Sequence, residues 1–295
     1  MKQHSVFLIY NANAGKRRVS QELETIITEL TKAGCLVTAC PVLPEQTAVH
    51  VLEERAETFD AVVCCGGDGT LHYTVNEMLA LPKKMPVGYL PYGSTNDFAA
   101  SLGLKRSLAE NCAAIGAFCP KALDTGRFND KHFCYVAAFG MFTQVSYQTP
   151  QAKKNLLGHF AYVLEGVLHL DPSQRWNAAI TVDDKTLEGE FWYGSVSNSR
   201  YIGGLAMPEQ VDVQMDDGLF EVIIIRKPQN LLEMHRLASS LVSQKSDNEL
   251  LYLMKGHKVQ VKFEQPTSWT LDGEAGPTVQ QVEIEAENKQ LNLLM

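Results

Sequence analysis

Residues 61–70 read AVVCCGGDGT, and this stretch decides the fold of the first part of the chain. The first five residues are apolar with no polar face, which is typical of a strand buried in a parallel sheet. The glycines that follow let the backbone turn sharply and approach a ligand closely. A helical pattern comes next, and the first N–H groups of a helix attract anions. The stretch therefore predicts a phosphate-binding loop between a strand and a helix.

Asp68 stands inside this loop, where a carboxylate would repel a phosphate. A divalent cation such as Mg2+ between the carboxylate and the phosphate oxygens removes the conflict. The chain has no G-x-x-x-x-G-K-[ST] sequence, and His72 stands where a dinucleotide-binding fingerprint has its third glycine. A tight strand-to-helix turn without a ligand is the alternative interpretation.

Two further segments repeat the order strand, polar loop, helix. Residues 6–10 are apolar and precede the loop NANAGK at residues 11–16, after which a helix is predicted from about Ser20. Residues 87–90 precede the loop PYGSTND at residues 91–97 and another short helix. Loops that follow the strands of a doubly wound sheet lie along one edge of it. The sequence therefore predicts an α/β domain in which three loops meet in one crevice.

After Gly126 the pattern changes from alternating strands and helices to a succession of strands joined by short turns. Helices are predicted only over residues 156–168 and 231–242. These features predict a second, β-rich domain over residues 126–284. Its predicted strands cover residues 131–138, 178–182, 191–197, 219–225 and 258–263.

Composition limits the class of protein. The chain has 295 residues, 45% of them hydrophobic, which is enough material for two cores. A net charge of −8 argues against a nucleic-acid partner, for which a basic surface is expected. No stretch is long enough to span a membrane, and a strand is predicted within five residues of the first methionine, so we expect a cytoplasmic protein. Seven cysteines without C-x-x-C spacing are expected to be free thiols.

Six motifs together resemble the diacylglycerol kinase catalytic family, and its soluble bacterial lipid kinases in particular. They occur along the whole chain in the order seen in that family. The motifs are NANAGK (11–16), GGDGT (66–70), PYGSTND (91–97), LDTG (123–126), DGL (217–219) and DGE (272–274).

The resemblance implies a two-domain lipid kinase with its active site in the cleft between the domains. The first domain, residues 1–125, would be of the doubly wound type found in NAD kinases and diacylglycerol kinases, and residues 285–295 would return to it. The second would be a β-rich sandwich. The implied reaction transfers the γ-phosphate of ATP, with Mg2+, to the hydroxyl of a membrane lipid. Diacylglycerol is the first candidate for that lipid, and the product would be phosphatidic acid.

The same resemblance implies roles for individual residues. Asp68, with Asp97 through water, would hold the catalytic Mg2+, and Glu274 or Asp272 would accept the proton of the lipid hydroxyl. Without the family, a surface hairpin turn is the favoured interpretation of the DGE segment. The expected nucleotide-binding residues are Asn11, Gly15, Lys16, Gly66, Gly67, Asp68, Gly69, Thr70, Leu71, His72, Thr95 and Asn96.

A second, structural Mg2+ is implied in the β-rich domain. By position in the family motif, Asp217 would bind it through its carboxylate, and Gln214 and Leu219 through their backbone carbonyls. Such an ion would stabilise the domain without taking part in the reaction.

Several alternatives remain open at this point. The lipid acceptor could instead be phosphatidylglycerol, a sphingoid base or an isoprenoid alcohol. An NAD kinase-like enzyme shares the GGDG loop, and a silent nucleotide-binding regulator could keep the same scaffold. For a lipid kinase we expect transient, peripheral contact with the inner face of the membrane, and the resemblance is compatible with a homodimer.

Overall fold

The computed structural model describes residues 3–43, 47–105, 107–141, 174–207, 211–243 and 249–295. They form two compact units. One contains Met1–Thr125 together with Glu287–Met295, and the other is Gly126–Ala286. The helix predicted over residues 156–168 lies outside the described residues.

The first unit is an α/β structure. Its sheet has the order β2, β1, β3, β4 and the end of β15, and each of these pairings is parallel. Its elements are β1 His4–Tyr10, α1 Ala14–Lys32, β2 Cys35–Pro41, α2 Thr47–Arg55, β3 Ala61–Gly66, α3 Asp68–Ala80, β4 Val87–Pro91, α4 Asp97–Ser101 and α5 Leu108–Ala117, with the last residues of β15 Glu274–Leu294.

The central strands of this sheet are buried on both faces, which explains why their sequences do not alternate between apolar and polar residues. All six residues of β3 are buried. The register pairs Tyr10 of β1 with Cys65 of β3, and Gly66 of β3 with Pro91 of β4. The three strands therefore end side by side, and the loops that follow them leave the sheet at one edge.

The second unit is built from antiparallel strands. The long strands β9 and β14 each pair with β8 through one part and with β7 through another, so these four strands close on themselves. The unit contains β6 Lys131–Phe133, β7 Val136–Gly140, β8 Trp176–Val182, β9 Lys185–Ser197, β10 Tyr201–Ile202, β11 Leu205–Ala206, β12 Phe220–Arg226, α6 Leu231–Ser243, β13 Leu251–Gly256, β14 Lys258–Leu271 and most of β15, while β5 Pro120–Phe128 runs into it from the first unit.

Aromatic side chains fill the core of the second unit. The ring of Phe139 lies 4.9 Å from that of Phe263 and 5.0 Å from that of Trp269, measured between centroids. Edge contacts of this kind stabilise a core beyond the area that they bury. The fold class predicted from the sequence, an α/β domain followed by a β-rich one, is confirmed.

Two predicted elements differ from the structure. The strand predicted over residues 131–138 is interrupted at residues 134 and 135, because backbone N–H groups there bind a side chain described below. The first helix begins before Ser20, and Gly15 to Arg17 inside it are left-handed. Within the described ranges, no helix is both long and apolar enough to cross a membrane.

Candidate active site

The loop after β1 is shaped by Asn11 and Gly15. The Asn11 Oδ1 accepts a hydrogen bond from the backbone N–H of Asn13 at 3.0 Å, and its Nδ2 lies 3.4 Å from the Thr70 hydroxyl. Gly15 has a φ of 60°, and a Cβ there would lie 2.8 Å from the carbonyl oxygen of Tyr92. Only glycine fits this close approach, which brings the loop after β1 against the loop after β4.

The loop after β3 contacts the loop after β4 directly. A Cβ on Gly67 would lie 3.0 Å from the Cα of Gly93, and a Cβ on Gly93 would lie 2.6 Å from the Cα of Gly67. The backbone N–H of Tyr92 also donates to the carbonyl of Gly66 at 2.7 Å. Thr70 packs over Gly66, where a Cβ would lie 2.4 Å from its hydroxyl oxygen. The two glycine loops therefore approach each other without intervening side chains.

Asp68 links α3 to the start of α4. Its Oδ2 accepts a hydrogen bond from the backbone N–H of Asp97 at 3.1 Å, and its Oδ1 lies 3.4 Å from the backbone nitrogen of Phe98. These are first-turn N–H groups of α4, so the carboxylate caps this helix and opposes its positive end. Asp97 is itself buried, with 3% of its surface exposed. The structure thus places the two carboxylates predicted to hold the catalytic cation on directly connected elements.

Asn96 shapes the loop after β4 from within. It has a left-handed φ of 54°, its Oδ1 accepts from the N–H of Gly93 at 2.8 Å, and its Nδ2 donates to the Gly93 carbonyl at 2.9 Å. The side-chain amide is therefore engaged by the loop backbone. Thr95 is exposed beside it.

The remaining predicted nucleotide contacts fall into two groups. Lys16 is exposed, and Gly69 and His72 are half-buried. Leu71 is fully buried, and its N–H donates to the carbonyl of Gly67 at 3.0 Å. The Leu71 side chain therefore packs in the core, and the nucleotide contact predicted for this residue stays a prediction.

The loops after β1, β3 and β4 lie together at one edge of the sheet of the first unit. Glycine backbones in close contact leave room for a ligand that binds to main-chain N–H groups, as phosphates do. Asp68 and Asp97 supply carboxylate oxygens, which are the ligands that Mg2+ prefers. The residues present therefore fit a bound nucleoside triphosphate with its cation.

The DGE segment forms a two-residue hairpin turn between β14 and β15. Leu271 pairs with Glu274, and both residues between them are left-handed, with a φ of 52° for Asp272 and 82° for Gly273. An Asp-Gly pair in this conformation is a strong hairpin signal. The hairpin turn that the sequence predicts for the DGE segment is thus present. It determines the positions of the Asp272 and Glu274 carboxylates.

Asp272 and Glu274 have different surroundings. The Asp272 carboxylate is 2% exposed and accepts backbone hydrogen bonds from Cys134 at 2.7 Å, Tyr135 at 2.8 Å and Val136 at 3.1 Å. This clamp interrupts the strand predicted over residues 131–138. Glu274, by contrast, is exposed. Of the two predicted proton acceptors, Glu274 is the one with an exposed side chain.

The site predicted for a structural Mg2+ is organised around a lysine. Asp217 accepts a hydrogen bond from the backbone N–H of Leu219 at 3.0 Å through one oxygen, and the other lies 3.1 Å from Lys255 Nζ. The side-chain amide of Gln214 donates to Asp212 at 3.1 Å. Among the described residues, no group of three or more His, Cys, Asp or Glu side chains could hold a metal ion.

Lys255 also faces a buried carboxylate. Its Nζ lies 3.5 Å from the Oε1 of Glu221, which is 1% exposed. Burial raises the pKa of Glu221 to about 7, against the opposing effect of the Lys255 charge. Burial lowers the pKa of Lys255, but its hydrogen bond with Asp217 and the nearby acidic charges outweigh this effect and raise it. The Lys255 ammonium group thus lies beside the Asp217 carboxylate, and the Mg2+ site predicted there stays a prediction.

Comparison with known proteins covers both units. A sequence profile described as "Diacylglycerol kinase catalytic domain" matches residues 5–128, and one described as "YegS C-terminal NAD kinase beta sandwich-like domain" matches residues 136–295. The chain is 29% identical over 273 residues to a diacylglycerol kinase of Bacillus subtilis (strain 168), covering 91% of this chain and 89% of the relative.

Further relatives agree with these matches. A diacylglycerol kinase of Staphylococcus aureus (strain bovine RF122 / ET3-1) is 30% identical over 275 residues, which cover 91% of this chain and 85% of the relative. A crystal structure of a diacylglycerol kinase from Bacillus anthracis str. Sterne has a TM-score of 0.76 at 21% identity, covers 100% of this chain and 97% of its own, and supports the fold. The chain belongs to the diacylglycerol kinase family and is a lipid kinase.

Proposed function

We propose that this lipid kinase transfers the γ-phosphate of ATP to the hydroxyl of diacylglycerol, in a reaction that depends on Mg2+, to give phosphatidic acid. The observation that carries the proposal is the contact between the backbones of Gly67 and Gly93, beside the Asp68 carboxylate that caps α4. It gathers main-chain donors and acidic side chains in one place. The choice of diacylglycerol rests on the relatives described above.

In this proposal the first unit binds the nucleotide. The backbone N–H groups of residues 66–69, the Lys16 ammonium and the Thr95 hydroxyl bind the phosphates, with Asn11 holding Thr70 in place. Asp68 and Asp97 hold the cation. When bound, Mg2+ neutralises charge on the phosphate oxygens during transfer. Most of the catalytic effect then comes from positioning the reacting groups.

Glu274 is the proposed proton acceptor. As the lipid hydroxyl oxygen forms its bond to the γ-phosphorus, the bond between that phosphorus and the bridging oxygen of ADP breaks. The hydroxyl proton passes to the Glu274 carboxylate, and ADP leaves with the electron pair. Glu274 lies on the same hairpin as Asp272. The Asp272 carboxylate anchors this hairpin by accepting three backbone hydrogen bonds.

The lipid is proposed to be reached peripherally, from the cytoplasmic side of a membrane. Leu231 and Leu232 at the start of α6 are 76% and 72% exposed, and adjacent exposed leucines of this kind can enter a lipid surface. This apolar surface is modest, so we expect weak and reversible attachment.

A screen with γ-labelled ATP against a total lipid extract in mixed micelles tests the proposal. The label is expected in phosphatidic acid and to be lost in Glu274→Gln. Glu188→Gln is the matched control, because Glu188 is also an exposed glutamate of the second unit. Label in phosphatidylglycerol phosphate, a sphingoid base phosphate or an isoprenoid phosphate would replace diacylglycerol as the acceptor. No labelled lipid at all, or full activity in Glu274→Gln, would contradict the mechanism.

A further inference from the structure

We infer that the Lys255 ammonium is the resident cation at Asp217, so that this turn of the second unit is held together without a divalent metal ion. The inference concerns the stability of the second unit and does not depend on the proposed reaction.

The register of two strands places the lysine. Lys255 on β13 is the direct partner of Glu221 on β12 in the antiparallel ladder. Asp217 lies in the turn that leads into β12, where Gly218 is left-handed with a φ of 76°. The ammonium nitrogen is therefore close to two carboxylates at once, 3.1 Å from Asp217 Oδ2 and 3.5 Å from Glu221 Oε1.

The ligand chemistry favours an ammonium group over a metal ion. A lysine offers three donors and no acceptor, which suits two carboxylate oxygens. Mg2+ or Ca2+ would need a shell of about six or more oxygen atoms. A metal ion on Asp217 Oδ2 would also lie within about 6 Å of the Lys255 ammonium, and the two positive charges would repel.

Two further groups of the turn have partners within the protein. The second oxygen of Asp217 accepts the N–H of Leu219 at 3.0 Å, and the Gly218 carbonyl lies 3.1 Å from Nδ1 of His257. Lys255 lies near the end of β13, and His257 is the first residue after that strand. The end of β13 and the residue after it thus hold the turn from one side.

Burial makes the lysine costly to lose. Among the described residues, both carboxylate oxygens of Glu221 lack a hydrogen-bond partner, and Lys255 is its ion-pair partner. Removing one member of a buried pair leaves an uncompensated charge, which is strongly destabilising. Lys255 is therefore expected to contribute more to stability than an exposed lysine of the same unit.

The first test compares melting temperatures of the nucleotide-free protein in EDTA and in millimolar Mg2+ or Ca2+. We expect the same melting temperature in each solution. A rise with either metal that disappears in Asp217→Asn would overturn the inference, since it would place a metal ion at Asp217. This comparison needs only the unaltered chain and one mild variant, and neither lipid nor ATP is present.

The second test is a double-mutant cycle. Lys255→Met and Asp217→Asn should each lower the melting temperature, and the double variant should lose less than the sum of the two shifts. Lys262→Met is the matched control, because Lys262 is an exposed lysine on β14, and it should leave the melting temperature nearly unchanged. Additive shifts, or a Lys255→Met shift no larger than that of the control, would also overturn the inference. If Lys255→Met does not fold, Lys255→Gln, which also removes the charge, takes its place in the cycle under the same criteria.

Discussion

Asp272 and Glu274 are two residues apart, yet we expect their substitutions to fail in different ways. Asp272→Asn keeps one acceptor oxygen and turns an NH2 group toward backbone N–H groups, so it should cost about 1–3 kcal/mol of stability. Glu274→Gln changes an exposed side chain and should leave stability nearly unchanged while activity is lost. Urea unfolding beside a kinase assay separates the two effects. Equal stability losses would contradict the assignment of Asp272 as an anchor.

The residue types of the candidate site could be predicted from the sequence, but the structural role of each residue could not. Asp68 and Asp272 bind backbone N–H groups of segments that are distant in sequence, and such partners depend on tertiary structure. Two signals could have helped. Asp-Gly between β-patterned runs predicts a hairpin with both residues left-handed, and a lone glutamate in the apolar run LFEVIII, residues 219–225, indicates a buried charge that needs a partner.

At the scale of elements, a hydrogen bond between Tyr92 and Glu22 connects the loop after β4 to α1. Tyr92 Oη donates to Glu22 Oε2 at 2.8 Å, and Arg18 pairs with the other carboxylate oxygen at 3.2 Å. The Tyr92 hydrogen bond is the main reason that the pKa of Glu22 is lowered. The bond supports the same loop whose Tyr92 carbonyl contacts Gly15.

Tyr92→Phe should therefore weaken the protein by about 0.5–1 kcal/mol at neutral pH, a small value because Glu22 is partly exposed and screened. A carboxylate with a lowered folded-state pKa stabilises the fold above its unfolded-state pKa, and this contribution is lost as pH falls through the lowered value. The difference between the two proteins in urea should shrink as pH is lowered below the ordinary carboxyl pKa of 4.5. A difference that grows in acid would contradict this account.

The strands, loops and helices of the first unit could be predicted because each follows a local pattern. An apolar run, a glycine loop and a helix start need no long-range information, and parallel strands bring such loops together. The left-handed conformation of Gly15, Lys16 and Arg17 could not be predicted from local sequence. Gly15 lies against Tyr92 of a loop that is distant in sequence. The pairing of β9 and β14 with both β7 and β8 also depends on tertiary structure, because the sequence of a strand does not show which strands pair with it.

For the whole molecule, we expect phosphoryl transfer to a lipid to depend on the Asp68 carboxylate in the first unit. Asp68→Asn is the sharpest variant, because it keeps an acceptor oxygen for one N–H group at the start of α4 but removes the charge that would hold the cation. Asp68→Ala would remove both functions at once.

The most direct measurement is the rate at which γ-labelled ATP converts purified diacylglycerol to phosphatidic acid in mixed micelles with Mg2+, together with the melting temperature of each protein. We predict labelled phosphatidic acid from the unaltered chain, and a rate lower by about 100-fold or more in Asp68→Asn, whose melting temperature stays within a few degrees. A variant that phosphorylates diacylglycerol within a few-fold of the unaltered rate would contradict the account.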